Sequence, residues 1–136
     1  MKIKKLHNIL TKIFKKKGLN PKDSLICSDA IINAELAGAH SHGLSRVKMY
    51  CDRINKKIIN PNPKIKINKI SQSIKYIDAN NSIGFVAADV GIKEVILSAK
   101  KTGIGLVAIK NSGHYGLSGY YAEQAVKKNL IVFCFT

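Results

Sequence analysis

Tryptophan is absent from this chain and arginine nearly so: of 23 basic residues only Arg46 and Arg53 are arginine, and acidic residues number 8. Three cysteines, Cys27, Cys51 and Cys134, are odd in number and far apart. That excludes a disulfide framework and a zinc-ligand spacing, and fits reduced thiols in a cytoplasmic protein. No apolar run approaches the ~18 residues of a membrane span. The opening Met1-Lys2-Ile3-Lys4-Lys5-Leu6 lacks the apolar core and cleavage site of a signal peptide. The net charge of +15 admits a nucleic-acid surface. Scarce arginine and basic runs without interleaved aromatics argue against it. Lysines mixed with Asn and Ile instead read as a solvated surface shaped by biased codon composition.

With 136 residues and 46% hydrophobic content, the chain suffices for one domain with a real core. Ile3, Leu6, Ile9, Leu10, Ile13 and Phe14 have helical spacing over 2–17, closed by Gly18. Asn20-Pro21 starts a second helix that runs to about Ala39. His40 to Gly43 breaks it, and 44–54 reads as a third helix with Arg46 in its first turn. Residues 55–73 read as a surface connection, partly extended around Ile65 and Ile67. A strand is expected at 74–78, a turn at Asn80-Asn81-Ser82 and a helix over 84–101 ended by Gly103. A strand follows at 105–109, then a glycine loop at 112–119 and a helix at 120–128. Leu130 to Phe135 reads as an apolar strand buried on both faces. There is no internal repeat, and the class is mixed α and β. A chain ending on a buried strand predicts an incomplete, truncated domain.

Two segments carry chemistry. Ala39-His40-Ser41-His42-Gly43-Leu44-Ser45-Arg46 sets imidazoles beside glycine, hydroxyls and a rare arginine. Asn111-Ser112-Gly113-His114-Tyr115-Gly116 answers it some seventy residues later. Histidine moves protons near neutral pH. Arginine grips a carboxylate with a planar fork that lysine lacks. His40 and His42, two apart, match no metal spacing, so no metal site is expected. The loop Ser112–Gly119 is neither a Walker A sequence nor a Rossmann fingerprint. Between a strand and a helix it brings backbone N–H groups towards an anion. On the residues alone His114 is either a polar loop residue or a base opened by its glycines. Arg46 is likewise either a helix-surface charge or a fork. Tyr120 and Tyr121 suit core packing at least as well as a site, and His7 reads as a surface residue.

Glu35 to Arg46, Asn60-Pro61, Asp78 to Gly84 and Asn111 to Ala122 together resemble the NAD(P)-dependent malate/L-lactate dehydrogenase family. This group also holds sulfolactate and ureidoglycolate dehydrogenases and some cyclic imino-acid reductases. The resemblance runs along the whole chain but covers under half of a family member. It implies a helical N-terminal region (1–73) and the first part of a non-Rossmann, largely antiparallel cofactor-binding domain (74–136). It further implies a homodimer, a small 2-hydroxy or 2-keto acid as substrate, and NAD or NADP as cofactor. His114 matches the catalytic acid/base and Arg46 the carboxylate-binding position. Ser41 and His42 match the substrate pocket, and His42, Gly116 and Ser118 the cofactor side. The family implies hydride transfer at C2 of the hydroxy acid once the domain is complete. An inactive remnant of a decayed or split gene, or a non-catalytic interaction fragment, is the alternative.

Overall fold

In the computed structural model, which describes residues 2–136, the chain begins with a helical layer. Helix α1 (Ile3–Lys16) turns Leu10, Thr11 and Phe14 inward. Helix α2 (Pro21–Leu36) starts where the sequence signals it: the Asn20 side chain accepts the Asp23 N–H at 2.9 Å, and Pro21 sits at the first turn. Proline there gives up only an N–H that has no helical partner. The Thr11 hydroxyl donates to Ser28 Oγ at 3.0 Å and ties the two helices together.

Helix α2 stops short of the expected Ala39. The Ala39 N–H folds back onto the Ala34 carbonyl at 2.9 Å and closes the helix at Leu36. Two 3-10 turns follow, His40–His42 and Leu44–Arg46, before helix α3 (Val47–Asn55). Arg46 therefore caps α3 rather than lying in its first turn.

Three strands form one sheet, β1 (Lys66–Lys69), β2 (Ile74–Ser82) and β3 (Leu106–Ser112). β1 is antiparallel to β2, and β3 is parallel to β2, reached through helix α4 (Gly84–Thr102). The turn expected at Asn80–Ser82 is absent as such. Asn80 and Asn81 take positive φ (51° and 57°) inside β2, and the register shifts between Asp78 and Ser82. That is a bulge, which asparagine tolerates better than most residues. Helix α5 (Ser118–Val126) begins two residues before the expected Tyr120.

The apolar strand expected at Leu130–Phe135 does not form. That segment has no strand partner among the described residues, and Ile131, Phe133 and Phe135 are 90%, 77% and 85% exposed. Hydrophobicity can nominate a strand, but a ladder partner has to complete it. Only Leu130 and Val132 lean on the small cluster of Ile92, Tyr121 and Ala125.

The main core joins Leu10, Phe14, Cys27, Ile31, Tyr50 and Ile54 to Ile83, Phe85 and Val86 at the start of α4. Helices α1–α3 are thereby bedded on the N-terminal end of α4, and the two chemical segments meet there. No described helix is long and apolar enough to cross a membrane. Burial separates two phenylalanines sharply. Phe14→Ala should lower unfolding free energy by about 3–5 kcal/mol, whereas Phe133→Ala should change it by less than about 0.5 kcal/mol. Denaturant titration of both variants reads the difference; comparable losses would contradict this placement of Phe133.

Candidate active site

The β3–α5 loop carries His114 and is pressed against the first turn of α4. A side chain at Gly84 would meet the His114 carbonyl oxygen at 2.3 Å, so only glycine permits this approach. Gly116 holds φ 80°, and a Cβ there would strike Phe85 at 2.6 Å. Phe85 is thus the floor of the loop. Tyr50, fully buried on α3, packs on the same ring at 4.8 Å between centroids.

From that position the Tyr50 hydroxyl reaches Nδ1 of His114 at 2.7 Å. The Gly116 N–H also points at Nδ1, at 3.3 Å. No hydrogen bond among the described residues uses Nε2. The ring stacks on His42, with centroids 5.4 Å apart and planes 29° from parallel. Partial burial holds the His114 pKa below its ordinary value, helped by the nearby His42, Arg46 and Arg53. Burial also pushes the Tyr50 hydroxyl far above the usual phenol range, so it stays protonated.

The 3-10 turns bring the other segment to the same place. Ser41 Oγ meets His42 Nδ1 at 3.0 Å. Arg46 donates from Nε to the Ser41 carbonyl at 2.7 Å and from Nη1 to Met49 Sδ at 4.0 Å, which leaves Nη2 without a partner among the described residues. Glu35, at the end of α2, accepts from His40 Nδ1 and from the Leu44 N–H, both at 2.6 Å.

A cleft of about 530 Å³ opens beside these groups. His42, Gly113, His114, Tyr115, Gly116 and Ser118 line it, with Cys134 and Thr136 at its edge. Of the residues expected from the sequence, His42, His114, Gly116 and Ser118 share this cleft. Ser41 and Arg46 do not line it; Ser41 bonds the His42 ring, and the Arg46 charge acts on His114. Tyr50 and Glu35 escaped the sequence reading. Tyr50 lies one helical turn beyond Arg46, and that spacing was the available signal.

The sequence profile of the malate/L-lactate dehydrogenases matches residues 1–136. This chain belongs to the malate/L-lactate dehydrogenase family. It is 39% identical over 126 residues to a malate dehydrogenase of Pyrococcus abyssi, covering 93% of this chain and 35% of that protein. It superposes on the malate dehydrogenase structure from Pyrococcus horikoshii OT3 with TM-score 0.90 and 36% identity, covering 93% of this chain and 36% of that one. The sulfolactate dehydrogenase structure from Methanocaldococcus jannaschii gives TM-score 0.92 at 33% identity, over 95% of this chain and 38% of that one. The chain therefore spans little more than a third of the length of these family members.

The depressed His114 pKa has a signed consequence. An unfolded chain binds the imidazole proton first, near pH 6.5, while the folded ring resists it. The His114 contribution is therefore free of penalty above about pH 6.5 and becomes destabilising as pH falls below that value. Proton NMR across an acid titration should show His114 charging below about 6.5; charging above it would contradict the burial described.

Proposed function

We propose that this chain supplies the proton-transfer and carboxylate-binding groups of an NAD(P)-dependent 2-hydroxyacid dehydrogenase. The observation that carries this reading is His114, gripped at Nδ1 by Tyr50 and turned to an open cleft against His42, in a chain of this family. The named relatives, malate and sulfolactate dehydrogenases, support a small hydroxy acid as substrate. The homodimer and the cytoplasmic location rest on the family resemblance and on three free cysteines.

The cleft suits one end of a nicotinamide cofactor. Gly113, Gly116 and Ser118 line it from the loop before α5, and Ser118 opens that helix, whose first N–H groups suit an anionic group. His42, Gly113, Gly116 and Ser118 would hold that end. Bound there, NAD or NADP supplies the acceptor for the hydride leaving C2 of the substrate.

The chain's own residues do the rest. To accept the substrate hydroxyl proton, Nε2 of His114 must present its lone pair, which puts the ring proton on Nδ1. That tautomer turns Nδ1 from acceptor into donor: the Tyr50 oxygen accepts its hydrogen bond, in the imidazolium as well, while the Gly116 N–H, which donates to a bare Nδ1, gives up that partner. A hydroxyl serves both tautomers because it donates as readily as it accepts. In the reverse direction His114 returns the proton to the carbonyl oxygen. Arg46, its Nε committed to Ser41, would hold the substrate carboxylate by turning its Nη edge into the cleft, giving up the long Nη1 contact to Met49 Sδ. Its charge also helps keep His114 neutral and ready as a base.

A chimaera tests this directly: the chain replaces the matching N-terminal part of the Pyrococcus horikoshii relative. The chimaera should oxidise a small 2-hydroxy acid with NAD or NADP. His114→Ala should lower kcat by about 10²–10⁴, the usual share of general acid–base catalysis. A folded chimaera without activity beside an active parent would overturn the reading, and an unchanged rate would remove His114 from it. The acid limb of kcat/KM for oxidation should fall below about pH 6.5, since the base is the neutral ring. Arg46→Lys should raise KM more than it lowers kcat, because a point charge cannot form the two-pronged bond.

A further inference from the structure

The turn that carries Ser41, His42 and Arg46 has no strand and no long helix to hold it. It consists of two single 3-10 turns joined at Gly43. What fixes it is a side chain from the preceding helix. Glu35 sits in the last turn of α2, and its two carboxylate oxygens go to different parts of the segment. Oε2 takes the His40 ring N–H, and Oε1 takes the Leu44 backbone N–H, each at 2.6 Å. Both bonds hold the carboxyl below the usual carboxylate range, the His40 bond more strongly.

Gly43 lies between these two anchors. The space beside it is already filled. A Cβ at Gly43 would lie 2.2 Å from Glu35 Oε1, 2.7 Å from Cδ and 2.8 Å from Cγ. The carboxylate occupies the volume that a side chain at position 43 would need. A side chain at position 43 would make the carboxylate swing away, and that movement breaks both of its bonds.

We propose that Glu35 is a positioning residue for the cleft: its carboxylate, seated in the space left by Gly43, clamps the His40–Arg46 turn so that His42 meets His114. The proposal rests on the functional reading above for the meaning of the cleft. Glu35 does not line the cleft and touches no substrate. The two anchors differ in weight. His40 is 74% exposed, so its ion pair is screened and contributes little. The bond to the Leu44 amide is charge-assisted and joins the helix end to the backbone of the turn. It therefore fixes the backbone of the turn, where the His40 bond fixes only a side chain. Downstream of it, Ser45 Oγ donates to the His40 carbonyl and Arg46 Nε to the Ser41 carbonyl, locking the two small turns to each other.

The test compares isotope-labelled chains by NMR without substrate or cofactor: unaltered, Glu35→Ala, Glu35→Gln, Gly43→Ala and the double variant Glu35→Ala/Gly43→Ala. In Glu35→Ala the Leu44 amide should exchange about tenfold faster or more, as an opened local hydrogen bond does. The His42 ring resonances should move away from their unaltered positions, while the unfolding midpoint of the core changes little. Glu35→Gln keeps a carbonyl oxygen for Leu44 and should restore both signals, a rescue that loss of bulk structure would not show. Gly43→Ala should reproduce the Glu35→Ala spectrum. Added to Glu35→Ala, it should speed Leu44 exchange no further, because the carboxylate it clashes with is gone. Unmoved His42 resonances in Glu35→Ala would overturn the proposal, as would a Gly43→Ala chain whose Leu44 exchange stays at the unaltered rate. Should Glu35→Ala fail to fold, Glu35→Gln and Gly43→Ala decide the same question. All these signals are read on the resting chain, so an inactive chimaera would sink the hydride-transfer reading without producing any of these spectra.

Discussion

The hydrogen bond between Tyr50 and His114 joins residues 64 positions apart, and the site depends on it. Tyr50 belongs to the helical layer and His114 to the loop after β3. Neither is placed by its own element alone. Phe85 settles both, since Tyr50 packs on its ring and Gly116 lies against its edge. The core that stabilises the fold is the same core that aims the imidazole. A loop of three glycines would otherwise have little to hold it, and glycine loses more freedom on ordering than any other residue.

Electrostatics at this point differ from those of the surface. The chain carries +15 overall, nearly all of it on exposed lysines. Exposed lysines are solvated and screened, and they exert little directional control. The two arginines act differently. Both lie near enough to His114 to disfavour its charged form, and burial adds the larger share. The result is an imidazole whose charged form is disfavoured by a cationic, partly buried setting. The same setting favours an anion in the cleft.

Much of this was legible in the residues. Helical spacing with Asn20-Pro21 located α1 and α2, and the glycines around His114 marked a loop that a strand and a helix would present. The match of several separated motifs assigned the family that the comparisons then showed. What stayed hidden depended on three-dimensional contacts. Tyr50 looks like one more apolar position on a helix, and only its buried hydroxyl against a distant imidazole gives it chemical meaning. Glu35 looks like a solvated helix-end charge until the turn folds back onto it. The Asn80-Asn81 pair carries turn chemistry, yet β2 absorbs it as a bulge because its neighbours continue the ladder on either side. Leu130–Phe135 shows the converse: strong strand character with no strand to pair with among the described residues.

The central claim is that the Tyr50 hydroxyl holds Nδ1 of His114 and leaves Nε2 to the cleft. Nitrogen-15 NMR of the His114 ring in the unaltered chain and in Tyr50→Phe tests it most directly. The account predicts that Nδ1 moves markedly on loss of the hydroxyl while Nε2 shifts far less and the chain stays folded. Identical nitrogen resonances in the two proteins, or a change confined to Nε2, would contradict it.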